Sequence, residues 1–321
     1  LIVSRPTILG LPSWRWVFMA TVPPALLGLC LSGRYLKEGS RAASGQLDLL
    51  GGLLAFSGLW LTLLGLTVGS FMGWGVEELL LLVLGLTLLA LFAYREYSLG
   101  RQALLDMSMF RSVPFSMGNL AALLNYAGYF FVPFFLSYYM IRVLGVSSVQ
   151  ASVPLMALSL AMVTLSPVSG WASDRVGARP LATTGMAIIA VGLIMLSRLG
   201  LNATVGQITA IAAMIGVGMG LFSSPNTASV MGSAPRDRLA VASATLSVMR
   251  FTGQSMSIAI AGALAASYIP RSVLVEVFTG LAISPASFSA PAFVAGLHRV
   301  YIVMSALVLV GAVASSLRGR R

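Results

Sequence analysis

One arginine stands where a membrane would make it expensive. Arg250 lies about ten residues into the apolar stretch 240–268. An arginine at the centre of a membrane helix costs about 2.5–3.5 kcal/mol on insertion scales, so it should face a cavity or a partner. The carboxylates Asp48, Glu78 and Glu96 all fall near the ends of apolar stretches. That leaves a carbonyl, water, a ligand or an acid outside the chain to satisfy the guanidinium. Gln254 follows one helical turn later and shares its face.

A second constellation lies in 115–140, where Asn119, Asn125, Tyr126, Tyr129 and Phe130 put amides and aromatic rings into one helix. Such groups could line a cavity suited to amphipathic or flat ligands, or tie helices together by hydrogen bonds. Asn226, directly after Pro225, is a similar candidate. Gly216, Gly218 and Gly220 resemble the start of a dinucleotide fingerprint, but Leu221 stands where the next glycine would be needed, and no strand precedes the run. Close helix packing through small residues explains the run better. Cys30 is the single cysteine and His298 the single histidine, so neither a disulfide nor a His-based metal site can be assembled. The sequence calls for no cofactor.

A third feature is the segment 170–180, Gly-Trp-Ala-Ser-Asp-Arg-Val-Gly-Ala-Arg-Pro, which joins two apolar stretches in very few residues. Gly177 can take the positive φ of a tight reversal, and Pro180 suits the first turn of the next helix. Asp174 can accept from free helix N–H groups or pair with Arg175 or Arg179.

Composition dictates what must hold these residues. Of 321 residues 58% are apolar and only 9% charged, whereas a soluble domain is about a quarter charged. A span takes about 20 residues, so the length accommodates roughly nine or ten. Nine stretches qualify: 16–31, 49–68, 79–93, 115–140, 149–171, 180–199, 205–230, 240–268 and 292–317. The expected fold is therefore an all-α polytopic membrane protein. Its formal charge of +11 is spread singly between apolar runs, which excludes a nucleic-acid interface. Thirteen basic residues, including Arg175, Arg179 and Arg318, fall in the loops and tail on one side, and six on the other. The positive-inside rule places the thirteen, and the C-terminal tail, in the cytoplasm. Between the third and fourth stretches, 99–110 reads as a short amphipathic helix on the inner surface. Residues 269–291 read as an outer loop rich in Ser and Pro. The chain opens Leu1-Ile2-Val3 without Met, so it reads as a fragment.

The segment 170–180 resembles the G-x-x-x-D-R-x-G-R-[RK] loop of the major facilitator superfamily, with Gly170, Asp174, Arg175, Gly177 and Arg179 matching and Ala178 departing. Trp14-Arg15-Trp16-Val17-Phe18 with Pro23 is similar to the start of the sixth helix in that family's fourteen-helix drug:proton antiporters. Leu104-Leu105-Asp106 with Phe110-Arg111 resembles the stretch before their ninth helix. Ala242-Ser243 with Arg250 and Gly253 resembles their thirteenth. Met140 stands where a glutamine is common, and Arg5-Pro6-Thr7-Ile8-Leu9-Gly10 is at most a reduced form of the proline-glycine signature of the fifth helix.

The resemblance implies four segments: 1–47, the last helix of a first lobe; 48–98, two linker helices; 99–113, a cytoplasmic amphipathic linker; and 114–321, a complete six-helix second lobe. It implies a multi-pass protein of the plasma (inner) membrane that performs secondary active transport. The substrates would be drug-like or amphipathic small molecules exported in exchange for protons, with the lipid bilayer and a first lobe upstream of Leu1 as the other partners. A carrier dedicated to one metabolite is the alternative. An intramembrane enzyme would need a nucleophile with a base or a metal site, and His298, at the outer end of the last stretch, is the one imidazole available.

Overall fold

The computed structural model describes residues 7–8, 11–35, 48–99, 107–279 and 288–319. The chain divides into two compact units, Leu1–Leu47 and Asp48–Arg321.

In the first unit, Thr7–Ile8 (β1) pairs antiparallel with Leu11–Pro12 (β2), and two short helices follow, α1 (Ser13–Met19) and α2 (Val22–Tyr35). The sequence led us to expect one span over 16–31, and the structure divides it at Ala20 and Thr21. The cause is local. Pro23 and Pro24 have no N–H to continue the ladder, and each disfavours helical geometry in the residue before it. Thr21 partly compensates, its hydroxyl donating to the Phe18 carbonyl at 2.6 Å. The 14 residues of α2 rise about 21 Å, short of the ~30 Å of a hydrocarbon core.

The second unit begins with the hairpin of α3 (Leu49–Met72) and α4 (Val76–Leu99). The two pack closely because Gly58 and Gly85 face the partner helix. A Cβ on Gly85 would lie 2.5 Å from the Thr62 amide. Asp48 caps α3, accepting from the Gly51 amide at 2.9 Å and from Arg95 of α4 at 2.9 and 3.2 Å. The amphipathic helix expected over 99–110 falls largely on 100–106, outside the described residues. Met107–Arg111 is a 3₁₀ turn.

Next come α5 (Val113–Tyr129) and α6 (Val132–Tyr138), continued by a π turn, Tyr139–Val143. Together they form one 31-residue span, interrupted just before Pro133. There the Phe131 amide turns aside to the Ser257 hydroxyl at 3.0 Å. The remaining helices are α7 (Ser148–Val176), α8 (Ala178–Leu196), α9 (Val205–Gly232), α10 (Leu239–Ala265), α11 (Arg271–Thr279) and α12 (Ala290–Ser316). Much of the expected outer loop is thus helix: α11 buries Val273, Leu274 and Val277, while 280–287 lie outside the described residues.

Seven helices among the described residues are long and apolar enough to cross a membrane. Of the nine expected stretches, the first is the broken α1–α2. The other is α10, which at 27 residues has the length but carries Arg250, Gln254 and a series of Ser and Thr. Helices α7 and α8 pack along α9, α12 along α8 and α5, and α10 along α5 and α3. The glycine run makes this possible. A Cβ on Gly216 would sit 2.2 Å from the Leu158 carbonyl oxygen of α7, and one on Gly218 would sit 2.6 Å from the Gly185 carbonyl oxygen of α8. The run is a packing surface, as expected.

Candidate functional site

Arg250 is half-buried on α10 and reaches across to α9, where its Nη2 donates to the Thr227 hydroxyl at 2.5 Å. Its guanidinium carbon stands 5.9 Å from the centre of the Tyr126 ring on α5. Gly253 brings these helices together, since a Cβ there would lie 2.5 Å from the Leu123 carbonyl and 3.0 Å from Tyr126 Cβ. The Arg250 Nε is buried and has no hydrogen-bond partner among the described residues, nor does Arg250 form an ion pair there. This cation is therefore held by one hydroxyl and one ring face, with donors to spare. Gln254 is half-buried one turn on.

A file of half-buried residues extends from Tyr126 along α5 and α6 through Phe130 and Phe134. The Phe130 and Phe134 rings are 5.9 Å apart, and Phe134 meets Phe278 of α11 at 5.6 Å. Sequence periodicity placed Tyr126 and Phe130 on one helix. The turn at Pro133 and the inward packing of α11 add the rest.

The other expected site residues separate from Arg250. Asn125 is fully buried and turns its amide to the Met219 sulfur at 3.3 Å. Tyr129 is buried in the core. Asn226 is next to Thr227 but about 100° around α9, and its side-chain oxygen accepts from Arg318 Nη2. Of the expected residues, Tyr126 meets Arg250, where Thr227 joins them, and Asn226 meets Arg318 instead. Thr227 was missed because a threonine in an apolar helix usually bonds its own backbone, which this one also does through Ser223.

Arg318 was not among the expected site residues. It was counted with the tail charges, yet only 2% of it is exposed. Burial pushes its guanidinium down to about 10, still well above neutrality, so it stays a cation. Its Nε and Nη1 have no hydrogen-bond partner among the described residues.

The segment 170–180 forms the expected tight reversal. Gly177, at φ +85°, is the single residue between α7 and α8, and Pro180 sits in the first turn of α8. Gly170 serves packing, because a Cβ there would lie 2.7 Å from the Ser224 hydroxyl of α9. The expected pairing of Asp174 with Arg175 or Arg179 is not formed. Asp174 is exposed without an ion pair among the described residues, and Arg175 lies over the Trp171 ring at 3.9 Å.

At the opposite end of the helices, Arg142 pairs with the buried Glu276 of α11. The Tyr138 hydroxyl reaches the same carboxylate at 3.3 Å. Nothing in the sequence around Glu276 signalled this pairing, which joins residues 134 positions apart.

The chain is 32% identical over 259 residues to the uncharacterized transporter YebQ of Escherichia coli (strain K12), an alignment covering 79% of this chain and 55% of that protein. It is 25% identical to the multidrug transporter protein MdtP of Bacillus subtilis (strain 168), covering 78% and 47%. It is 24% identical to the riboflavin transporter RibZ of Clostridioides difficile (strain 630), covering 84% and 58%. The chain thus spans about half the length of these relatives, all of which carry transporter names. The family model of the Major Facilitator Superfamily matches residues 118–318, from the second turn of α5 to the end of α12. On these grounds the chain belongs to the Major Facilitator Superfamily.

Proposed function

We propose that this chain supplies the second lobe, the linker helices and the end of the first lobe of a fourteen-helix secondary transporter. It would export amphipathic or drug-like molecules in exchange for protons across the plasma (inner) membrane. The divisions are those expected above: 1–47, 48–98, 99–113 and 114–321. The end of the bundle that holds Gly177 faces the cytoplasm, following the excess of arginines in its loops. Transport proceeds by rocking of two lobes about a site at mid-depth, and the reversal at Gly177 acts in that rocking.

The observation that carries this reading is Arg250, a half-buried cation held by Thr227 and the face of Tyr126, with an unpartnered Nε. The file Tyr126, Phe130 and Phe134 beside it supplies apolar and aromatic surface. A cation at one end of such a file fits amphipathic ligands. Proton exchange rests on the resemblance alone, and the acid that couples it belongs to the first lobe. The name of MdtP supports a broad substrate range, and that of RibZ a single metabolite. Counterflow of labelled substrates by the full-length carrier separates the two, a broad exporter exchanging several unrelated compounds.

Arg250 is the direct test. Lysine keeps the charge and loses the planar fork, so Arg250→Lys should impair transport partly. A lost hydrogen bond from a charged donor is worth about 1.5–3 kcal/mol, so Arg250→Ala should lower transport roughly 10- to 100-fold. Both variants should insert normally. Normal transport with normal expression for Arg250→Leu would remove Arg250 from the site.

A further inference from the structure

The aromatic file that starts beside Arg250 continues past Phe134. Every fourth residue along a helix belongs to one inclined ridge. Along α5, α6 and the π turn that follows them, that ridge reads Tyr126, Phe130, Phe134, Tyr138 and Arg142. Its first member faces Arg250, and its last three all meet α11. The Phe134 and Phe278 rings are 5.6 Å apart, and Tyr138 and Arg142 both reach the Glu276 carboxylate. The end of the ridge opposite Gly177 is thus covered by a helix of nine residues.

A helix this short does not hold itself, since isolated helices below about 12–15 residues are marginal. Its place comes from what it touches. Val273, Leu274 and Val277 are buried, and the Phe278 ring also meets Phe135 at 5.3 Å. At its first residue the Arg271 guanidinium lies against the turn between α3 and α4, with Nη2 2.7 Å from where a Cβ on Gly73 would stand. Glu276 is the odd member of this set. An apolar residue of similar volume would hold α11 as well or better, because a buried ion pair repays little more than its desolvation. The pair is also one-sided. The Glu276 side chain is 10% exposed and that of Arg142 40%, so water already reaches the arginine. Such a joint fixes one position when closed and parts without stranding the arginine in hydrocarbon.

We propose that α11 is a strap over the outer end of this ridge, fastened to α6 by Glu276 and to the α3–α4 turn by Arg271, and that its release opens the path between the outside and Arg250. The proposal rests on the transport reading above, which makes the ridge a substrate path and places this end outside. A molecule leaving Arg250 passes Phe130 and Phe134 and meets Phe278 before water. The α3–α4 hairpin then has a part in transport, because a shift of its turn moves α11 through Arg271.

The test is the rate at which a membrane-impermeant maleimide, applied outside intact cells, labels Phe134→Cys. The protein is the full-length carrier with its native cysteines, Cys30 among them, replaced by serine. Glu276→Gln should speed that labelling about 10- to 100-fold, the worth of a hydrogen bond between charged groups. Arg142→Gln and Arg271→Ala alter more exposed residues and should each give about 2- to 5-fold, even if Glu276→Gln does not fold. Ser197→Cys, buried at the same end of the bundle on α8, is the control for general loosening, and its labelling should not change. Unchanged labelling of Phe134→Cys in Glu276→Gln and Arg142→Gln, or an equal rise at Ser197→Cys, would overturn the strap. Unchanged labelling in Arg271→Ala would overturn its fastening to the α3–α4 turn. The readout is accessibility and not transport, so a strap that fails this test leaves the Arg250 reading intact. Normal transport by Arg250→Leu, in turn, removes that site and leaves the labelling result unchanged.

Discussion

Replacing Gly216 by alanine should loosen the α7–α9 pair by an amount that the geometry sets. The added Cβ would lie 2.2 Å from the Leu158 carbonyl oxygen and 2.9 Å from its carbonyl carbon. Carbon–oxygen contacts of this kind settle near ~3.3 Å, so the helices must part by about 1 Å. No rotamer can relieve the clash, since both sides are backbone. Overpacking of a tight interface costs about 1–3 kcal/mol, while alanine's better helix propensity returns up to ~1 kcal/mol. Gly206, in the first turn of the same helix, supplies the control, because a Cβ there would meet nothing within 4 Å. Gly206→Ala gains propensity without a clash, so the difference between the two variants isolates the packing cost of about 1–3 kcal/mol. Reversible unfolding in mixed micelles of rising dodecyl sulfate fraction, followed by circular dichroism, measures both. Coincident transitions, or a more stable Gly216→Ala, would refute the close approach of α7 to α9 and with it the packing role of the glycine run.

The remaining expectations concern topology and charge. Reporter fusions after Arg179 and after Arg321 should read cytoplasmic and one after Gly75 external; an external signal after Arg179 would overturn the orientation. The Arg95 guanidinium, helped by the Gly51 amide, holds the Asp48 carboxyl below the usual carboxylate range. A carboxyl with a depressed folded value adds stability above its unfolded value near ~3.9 and loses it as pH falls through the folded value. The α3–α4 hairpin should therefore hold at pH 5 and weaken below about pH 4, and Asp48→Asn should remove that dependence in acid unfolding curves.

Apolar length and period were enough to read the long helices, because a membrane leaves a span few ways to satisfy its backbone. The same reasoning joined α1 to α2, since hydropathy does not register two adjacent prolines that remove consecutive N–H groups. It read 269–291 as loop because α11 is only nine residues long and gains its stability from packing, to which Glu276 contributes through a partner far away in sequence. Asn125, Tyr126 and Tyr129 were legible as a polar and aromatic helix, but their directions were not. Only Tyr126 faces Arg250, while Asn125 turns to Met219. The burial of Arg318 was not legible for a related reason. A charge beyond the last apolar residue looks solvated, and its burial depends on Gly118 and Asn226, which lie on two other helices.

Among the described residues of the second unit, the long helix that falls short of membrane-spanning apolarity is α10, and its polar load has to be met by its neighbours. Arg250, Gln254 and Ser257 occupy successive turns. Each would be costly against lipid, and Arg250 and Ser257 are turned to partners on other elements. Arg250 reaches Thr227, Ser257 takes the amide that α6 releases before Pro133, and Gly253 brings the α10 backbone against α5 between them. A helix so occupied cannot exchange these contacts for lipid without leaving a cation and a backbone N–H unsatisfied, which costs several kcal/mol in hydrocarbon. Its low apolarity thus marks a helix whose polar side chains must be satisfied by neighbouring helices. The same stretch that weakens α10 as a span by composition secures it to α5 through Gly253 and to α9 through Arg250.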